Sequence, residues 1–205
     1  MTTEWFRNTT WNDVLEQSFN ERLRRSKNKS QYLRIQACTL ARSDPATALK
    51  LLARYFELDD DLFHAQAYVD QATALIALGR IDDAIRSFER ALAREKEFPN
   101  VLSSAYLSLP FLIAKNELES KFERAIELLE VHQSRLTFPY ERFQWYASQA
   151  MIAASMGNML SAKEYAEQAL GAARETYSGF QNEPSVGIVG TAHGDIINRL
   201  QHYAG

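Results

Sequence analysis

Apolar and small residues in the middle of the chain fall at Tyr68, Ala72, Leu75, Gly79, Ile81, Ala84, Phe88 and Ala91. Gaps of three and four keep one face of an α-helix together, so the pattern predicts two amphipathic helices broken near Gly79. The same series recurs 78 residues later as Tyr146, Ala150, Ala153, Gly157, Met159, Ala162, Ala166 and Ala169, and Leu92 and Leu170 extend it by one position. Every gap is preserved. A third copy, Tyr32, Gln36, Thr39, Ser43, Pro45, Ala48, Leu52 and Tyr55, keeps the gaps but lacks the glycine. There Ser43-Asp44-Pro45 predicts a helix start, with a capping side chain followed by proline in the first turn.

Between these copies lies a weaker one. Tyr106, Pro110 and Ile113 hold the early gaps, and Ala125 and Leu129 then arrive three residues late. Ser120-x-x-Glu123 reads as a capping box opening the second helix after a lengthened turn. Pro110 falls inside the first helix, where it should kink or break it and free the Tyr106 carbonyl. Elsewhere, Gly79 and Gly157 supply the positive φ that ends a helix sharply. Ala72 with Ala84, and Ala150 with Ala162, let antiparallel helices approach closely.

Taken together, these residues resemble the tetratricopeptide repeat, a helix-turn-helix unit of about 34 residues. The resemblance covers residues 29–178 and implies an all-α, right-handed superhelix of about four such repeats. Tyr-to-Tyr spacings of 36, 38 and 40 are longer than the family's period and imply irregular angles between repeats. Ala153 and Ala166 stand where larger residues are usual.

The ends add helices to the array. Trp11, Leu15, Phe19 and Leu23 recur every fourth residue, predicting an N-terminal capping helix within residues 1–28, with Thr10 as its cap. Residues 179–190 read as a loop, and Ile196, Ile197, Leu200 and Tyr203 predict a C-terminal capping helix within 191–205, opened by Asp195. Both would cover the exposed ends of a single 1–205 domain. The aromatic N-terminus, Trp5, Phe6 and Trp11, is either tucked onto the first repeat or exposed as a sticky patch.

Composition narrows the function classes. A formal charge of −3 gives no global field for nucleic acid or membrane. The most apolar stretch, Ala105 to Ala114, is far short of the roughly 20 residues that span a bilayer. One cysteine, Cys38, precludes an internal disulfide framework, and the N-terminus lacks a secretory signal's order, so a cytoplasmic protein is expected. Cys38 falls within a helical pattern and is expected to be a small buried residue. His64, His132, His193 and His202 lack metal-ligand spacing, and His193-x-Asp195 reads as the start of the last helix. Gly187, Gly190 and Gly194 match no phosphate-binding fingerprint and read as a flexible connector. No enzyme, cofactor or metal site is expected.

The family resemblance implies a concave groove lined by the first helix of each repeat. Projected onto this chain, it is lined by Arg34 and Ala37, then Gln66, Asp70 and Thr73, then Ser104, Ser108 and Phe111, then Gln144, Ser148, Met151 and Ser155. Such a groove is small, polar and near neutral. Members that clamp a C-terminal carboxylate use Lys, Arg and Asn there, whereas here only Arg34 qualifies and Asp70 can neutralise it. The expectation is a scaffold, adaptor or chaperone-like, binding a peptide segment or helix of another protein. One alternative is self-assembly into a homo-oligomer through the terminal helices. Another is nucleic-acid or anionic-partner binding through Arg22, Arg24, Arg25, Lys27 and Lys29, although cations also gather at helix C-termini for electrostatic reasons.

Overall fold

The computed structural model describes residues 4–58, 62–180, 183 and 185–205, and all regular structure among them is helical. The chain divides into two compact units, Met1–Ala105 and Tyr106–Gly205.

Unit 1 contains α1 (Asp13–Arg25), α2 (Lys29–Leu40), α3 (Pro45–Phe56), α4 (His64–Ala77) and α5 (Ile81–Glu97). Helices α2 and α3 pack as one pair and α4 and α5 as the next, with α3 against α4. The small residues do what their spacing requires: Ala48, Ala72, Ala84 and Ala91 are fully buried where helices meet. Asp44 caps α3 by accepting from the Thr47 amide at 3.2 Å, with Pro45 in the first turn.

Helix α1 is capped two residues beyond the expected position. Asn12, not Thr10, accepts from the Leu15 amide at 2.9 Å, because it is the residue directly ahead of the first turn. Ahead of α1 the aromatic residues are tucked in. Trp5 stands 5.4 Å from Phe19 and 4.8 Å from Tyr32, and Trp11 is 5.5 Å from Phe19, ring centre to ring centre. Gln36 accounts for this docking. It occupies the position that is alanine in the two clear repeats, and it is fully buried. Its carboxamide accepts from the Asn8 amide at 2.9 Å and donates to the Asn8 carbonyl at 2.8 Å, pinning the N-terminal segment to α2.

Unit 2 contains α6 (Ala105–Lys115, whose first residue closes unit 1), α7 (Phe122–His132), α8 (Pro139–Ser155), α9 (Met159–Arg174) and α10 (Gly194–Ala204). Helices α8 and α9 form a close pair, and α10 lies against both. Gly79 and Gly157 have φ of 71° and 77°, and in each turn the next residue donates back across it: Arg80 to the Leu75 carbonyl and Asn158 to the Ala153 carbonyl, both at 2.9 Å. The turn after α6 has the same bond, Leu118 to Ile113 at 3.1 Å, yet its left-handed residue is Glu117 with φ of 53°. A side chain there costs on the order of 1 kcal/mol relative to glycine.

Three local expectations are corrected here. The Ser120–Glu123 capping box does not form: a short 3-10 turn, Glu119–Lys121, takes up the extra residues and α7 starts at Phe122 without a side-chain cap. Helix α6 continues through Pro110 without a break, since its neighbours Leu107, Leu109 and Ile113 are buried and their packing offsets one lost bond. Asp195 does not cap α10. It sits inside the first turn and pairs with Lys115 at 2.9 Å, while His193 precedes the helix.

Candidate functional site

In unit 1 the first helices of the two pairs, α2 and α4, share a face with a polar centre. Asp70 on α4 is only 3% exposed. Its carboxylate accepts from the Arg34 guanidinium across the helix pair at 3.2 Å, and from the Gln66 carboxamide one turn earlier at 3.2 Å. Burial pushes the Asp70 carboxyl above its ordinary range, and Arg34, Gln66 and the Cys38 thiol only partly offset that push. Arg34 also lies over the Phe63 ring at 5.5 Å. Arg34, Gln66 and Thr73 remain half-buried around this centre, with Ala37 beneath. The expected neutralisation of Arg34 by Asp70 has a geometric counterpart: one arm of its guanidinium, Nη1, is paired with this buried carboxylate.

Cys38 belongs to the same network, which sequence reasoning missed. The residue is exposed rather than buried, yet its thiol is partly desolvated and lies within the field of Asp70. Desolvation, and then the adjacent Asp70 charge, push its thiol up to about 11. A protonated thiol is a poor nucleophile at neutral pH. The available signal was spacing: Cys38 follows Arg34 by one helical turn and so shares its face.

The corresponding positions of unit 2 differ. Gln144, Ser148 and Met151 on α8 are buried, Ser148 and Met151 completely, so they present no surface to a partner. Ser148 instead donates to the Gln144 carbonyl of its own helix at 2.7 Å. Phe111 on α6 is buried too, with His193 5.8 Å away, ring centre to ring centre. Ser108 and Ser155 are half-buried, and Ser104, in unit 1, is exposed. Four of the expected groove residues, Phe111, Gln144, Ser148 and Met151, thus belong to the core of unit 2. Asp70 and Ala37 are likewise buried in unit 1, Asp70 as the hub of its network.

The remaining candidates resolve into structure. His193 stands 5.6 Å from Tyr140 and 5.5 Å from Phe143, in an aromatic nest ahead of α10. The Gly187 carbonyl accepts from the Tyr140 amide at 2.8 Å, and a Cβ on Gly187 would lie 2.3 Å from the Phe138 ring, so this part of the expected flexible connector is docked on α8. Arg22, Arg24 and Arg25 are exposed in the last turn of α1, with Lys27 and Lys29 just beyond. Among the described residues no group of three or more His, Cys, Asp or Glu is placed to hold a metal ion, and no helix is long and apolar enough to cross a membrane.

Comparison with known families matches the model described as tetratricopeptide repeat at residues 65–98 and 144–176. These are the segments of α4–α5 and α8–α9. No curated protein and no solved structure matches the chain.

Proposed function

We propose that this tetratricopeptide-repeat protein is a scaffold that receives a peptide segment or helix of another protein on the α2–α4 face of unit 1. Repeats of this kind support protein–protein interaction in general, and they are typically non-enzymatic. The observation that carries the finer reading is the Arg34–Asp70–Gln66 network. A buried carboxylate costs stability unless it is satisfied, and here it holds two polar side chains in fixed positions at a half-buried surface. Fixed donors at a surface lower the ordering cost of binding, because their rotamers are already restricted. Gln66 and Thr73 then offer hydrogen bonds along the face, above the fully buried Ala37. Asp70 positions these groups and does not itself touch a partner. The near-neutral face disfavours the C-terminal carboxylate clamp of other members.

Thr73→Arg adds bulk and charge at a half-buried position whose hydroxyl bonds only its own helix, to the Val69 carbonyl at 3.0 Å. Proteins retained from native extract by the wild type should be lost on the Thr73→Arg variant, with the melting temperature unchanged. Retention of the same proteins by a folded Thr73→Arg variant would contradict the assignment.

A further inference from the structure

Unit 2 has an apolar cleft on a different surface, between α7 and the α8–α9 turn. One part, of about 460 Å³, is lined by Glu119, Phe122, Glu123, Ile126, Ser155 and Met156. The next, of about 320 Å³, shares Ile126 and Met156 and adds Glu130, Gln149, Ala153 and Tyr165 among its walls. The shared residues make the two parts one trough along α7. The cleft has a cause in the sequence. Ala153 stands at the repeat position that the buried Leu75 holds 78 residues earlier, and the smaller side chain widens this part of the cleft to about 320 Å³, against about 270 Å³ beside Leu75.

We propose that this trough docks an amphipathic helix of another protein that carries Lys or Arg beside its apolar stripe. Three observations select that occupant. First, the charge is one-sided: Glu119, Glu123 and Glu130 are exposed, and neither part of the lining contains a Lys or Arg. Second, the apolar surface continues from Met156 in the trough wall to Met159 and Leu160 beyond it, which are 65%, 52% and 73% exposed. Unbranched methionines adapt to an apolar partner face. Third, Gln149 lines the trough and its Nε2, buried from solvent, has no acceptor. The idle donor suits a carbonyl in the last turn of a helix, where carbonyls lack partners. From Glu119 to Glu130 the wall runs about 16 Å, or three turns. An extended peptide would expose a row of backbone groups to a mainly apolar wall, whereas a helix satisfies its own.

The test uses the full chain with ¹³C-methyl methionine, whose four labels are Met1, Met151, Met156 and Met159. The probe is a synthetic Leu/Lys amphipathic peptide of about four helical turns, with the Leu/Glu version as its counterpart. The Leu/Lys peptide should shift Met156 and Met159 saturably and leave the fully buried Met151 in place, and the Leu/Glu peptide should shift none. Ala153→Leu, which restores the side chain found in the other repeat, should weaken the Leu/Lys titration by about tenfold or more, and so should Glu123→Lys with Glu130→Lys. The surface pair of variants reads the charge without touching the core, and Thr73→Arg in unit 1 should leave the titration unchanged. An unmoved Met156, equal shifts from both peptides, or unaltered affinity in a folded Ala153→Leu chain would overturn the proposal. So would Met156 shifts that appear on concentrating the protein alone, which would assign the trough to a second copy.

Discussion

The α4–α5 and α8–α9 pairs share a turn but differ in the surfaces beside it. Around the equivalent cleft α4–α5 carries Gln71, Leu75, Arg80, Asp83 and Ser87, and α8–α9 carries Gln149, Ala153, Asn158, Ser161 and Tyr165. In the first pair Leu75 narrows the cleft to about 270 Å³, Ser87 pairs with Gln71, and Arg80 and Arg86 both bridge to Asp83. In the second, the filler is gone, the glutamine donor is idle and no arginine lines the wall. The inner faces diverge in the opposite sense. Asp70 organises a polar surface in unit 1, while its counterpart Ser148 is buried in unit 2. A repeat thus fixes the backbone through its glycine and alanines and leaves the remaining positions free to specify where a partner can approach.

The largest effect should come from reversing the filler. Leu75→Ala should cost about 3 kcal/mol in unfolding free energy, as a buried leucine truncation does. Ala153→Leu should be neutral or mildly stabilising, because its space already exists. Chemical denaturation of both variants measures the contrast, and equal losses would contradict a cleft widened by the smaller side chain.

Next is the Asp70 network. Raised from its ordinary 9.0 to about 11, the Cys38 thiol yields about a hundredfold less thiolate at neutral pH than an unperturbed cysteine. Iodoacetamide should therefore label it slowly despite its exposure, and Asp70→Asn should speed labelling by removing the neighbouring charge. The sign for stability follows from the same shifts. A folded-state pKa above the unfolded one means the native protein holds its proton longer, so Asp70 lowers stability as pH rises above its ordinary 3.8, and Cys38 does so as pH rises from 9.0 towards 11. Denaturant melts against pH should show the acid-side slope in wild type and lose it in Asp70→Asn.

A smaller effect belongs to the shared turns. Gly79→Ala and Gly157→Ala should each cost about 1 kcal/mol, since a Cβ at either meets nothing within 4 Å and only the left-handed backbone resists it. Smallest is the glutamine pair: Ser87→Ala should cost about 1 kcal/mol or less, whereas Gln149→Leu should be neutral or stabilising, since it removes an unsatisfied donor. Thermal melts distinguish the two.

The repeat itself was legible because helix packing leaves a periodic trace, and a glycine at a fixed offset from small residues marks a sharp turn between close-packed helices. Residues 65–98 and 144–176 carry that trace most clearly, and both match the family. The weaker copy at Tyr106 was harder to read, because Glu117 does with a side chain what glycine does elsewhere. Which inner-face residues stay accessible was not legible. Burial of Gln144, Ser148 and Met151 depends on what packs over α8, and repeat spacing carries no record of that. Gln36 shows the same limit from the other side: its departure from alanine was visible, but its partner Asn8 lies 28 residues away. The electrostatic coupling of Cys38 to Asp70 also joins separate helices.

The central claim is that partner binding in unit 1 occurs on the face built around Asp70. A photo-crosslinking amino acid placed at Ala77, which is exposed on α4 one turn beyond Thr73, and in a second chain at Val14, which is exposed on α1, tests it in native extract. Position 77 should give a discrete protein adduct that Thr73→Arg abolishes, and position 14 none of that mass. The same adduct from both positions, or an adduct from 77 that survives Thr73→Arg in a folded chain, would contradict it.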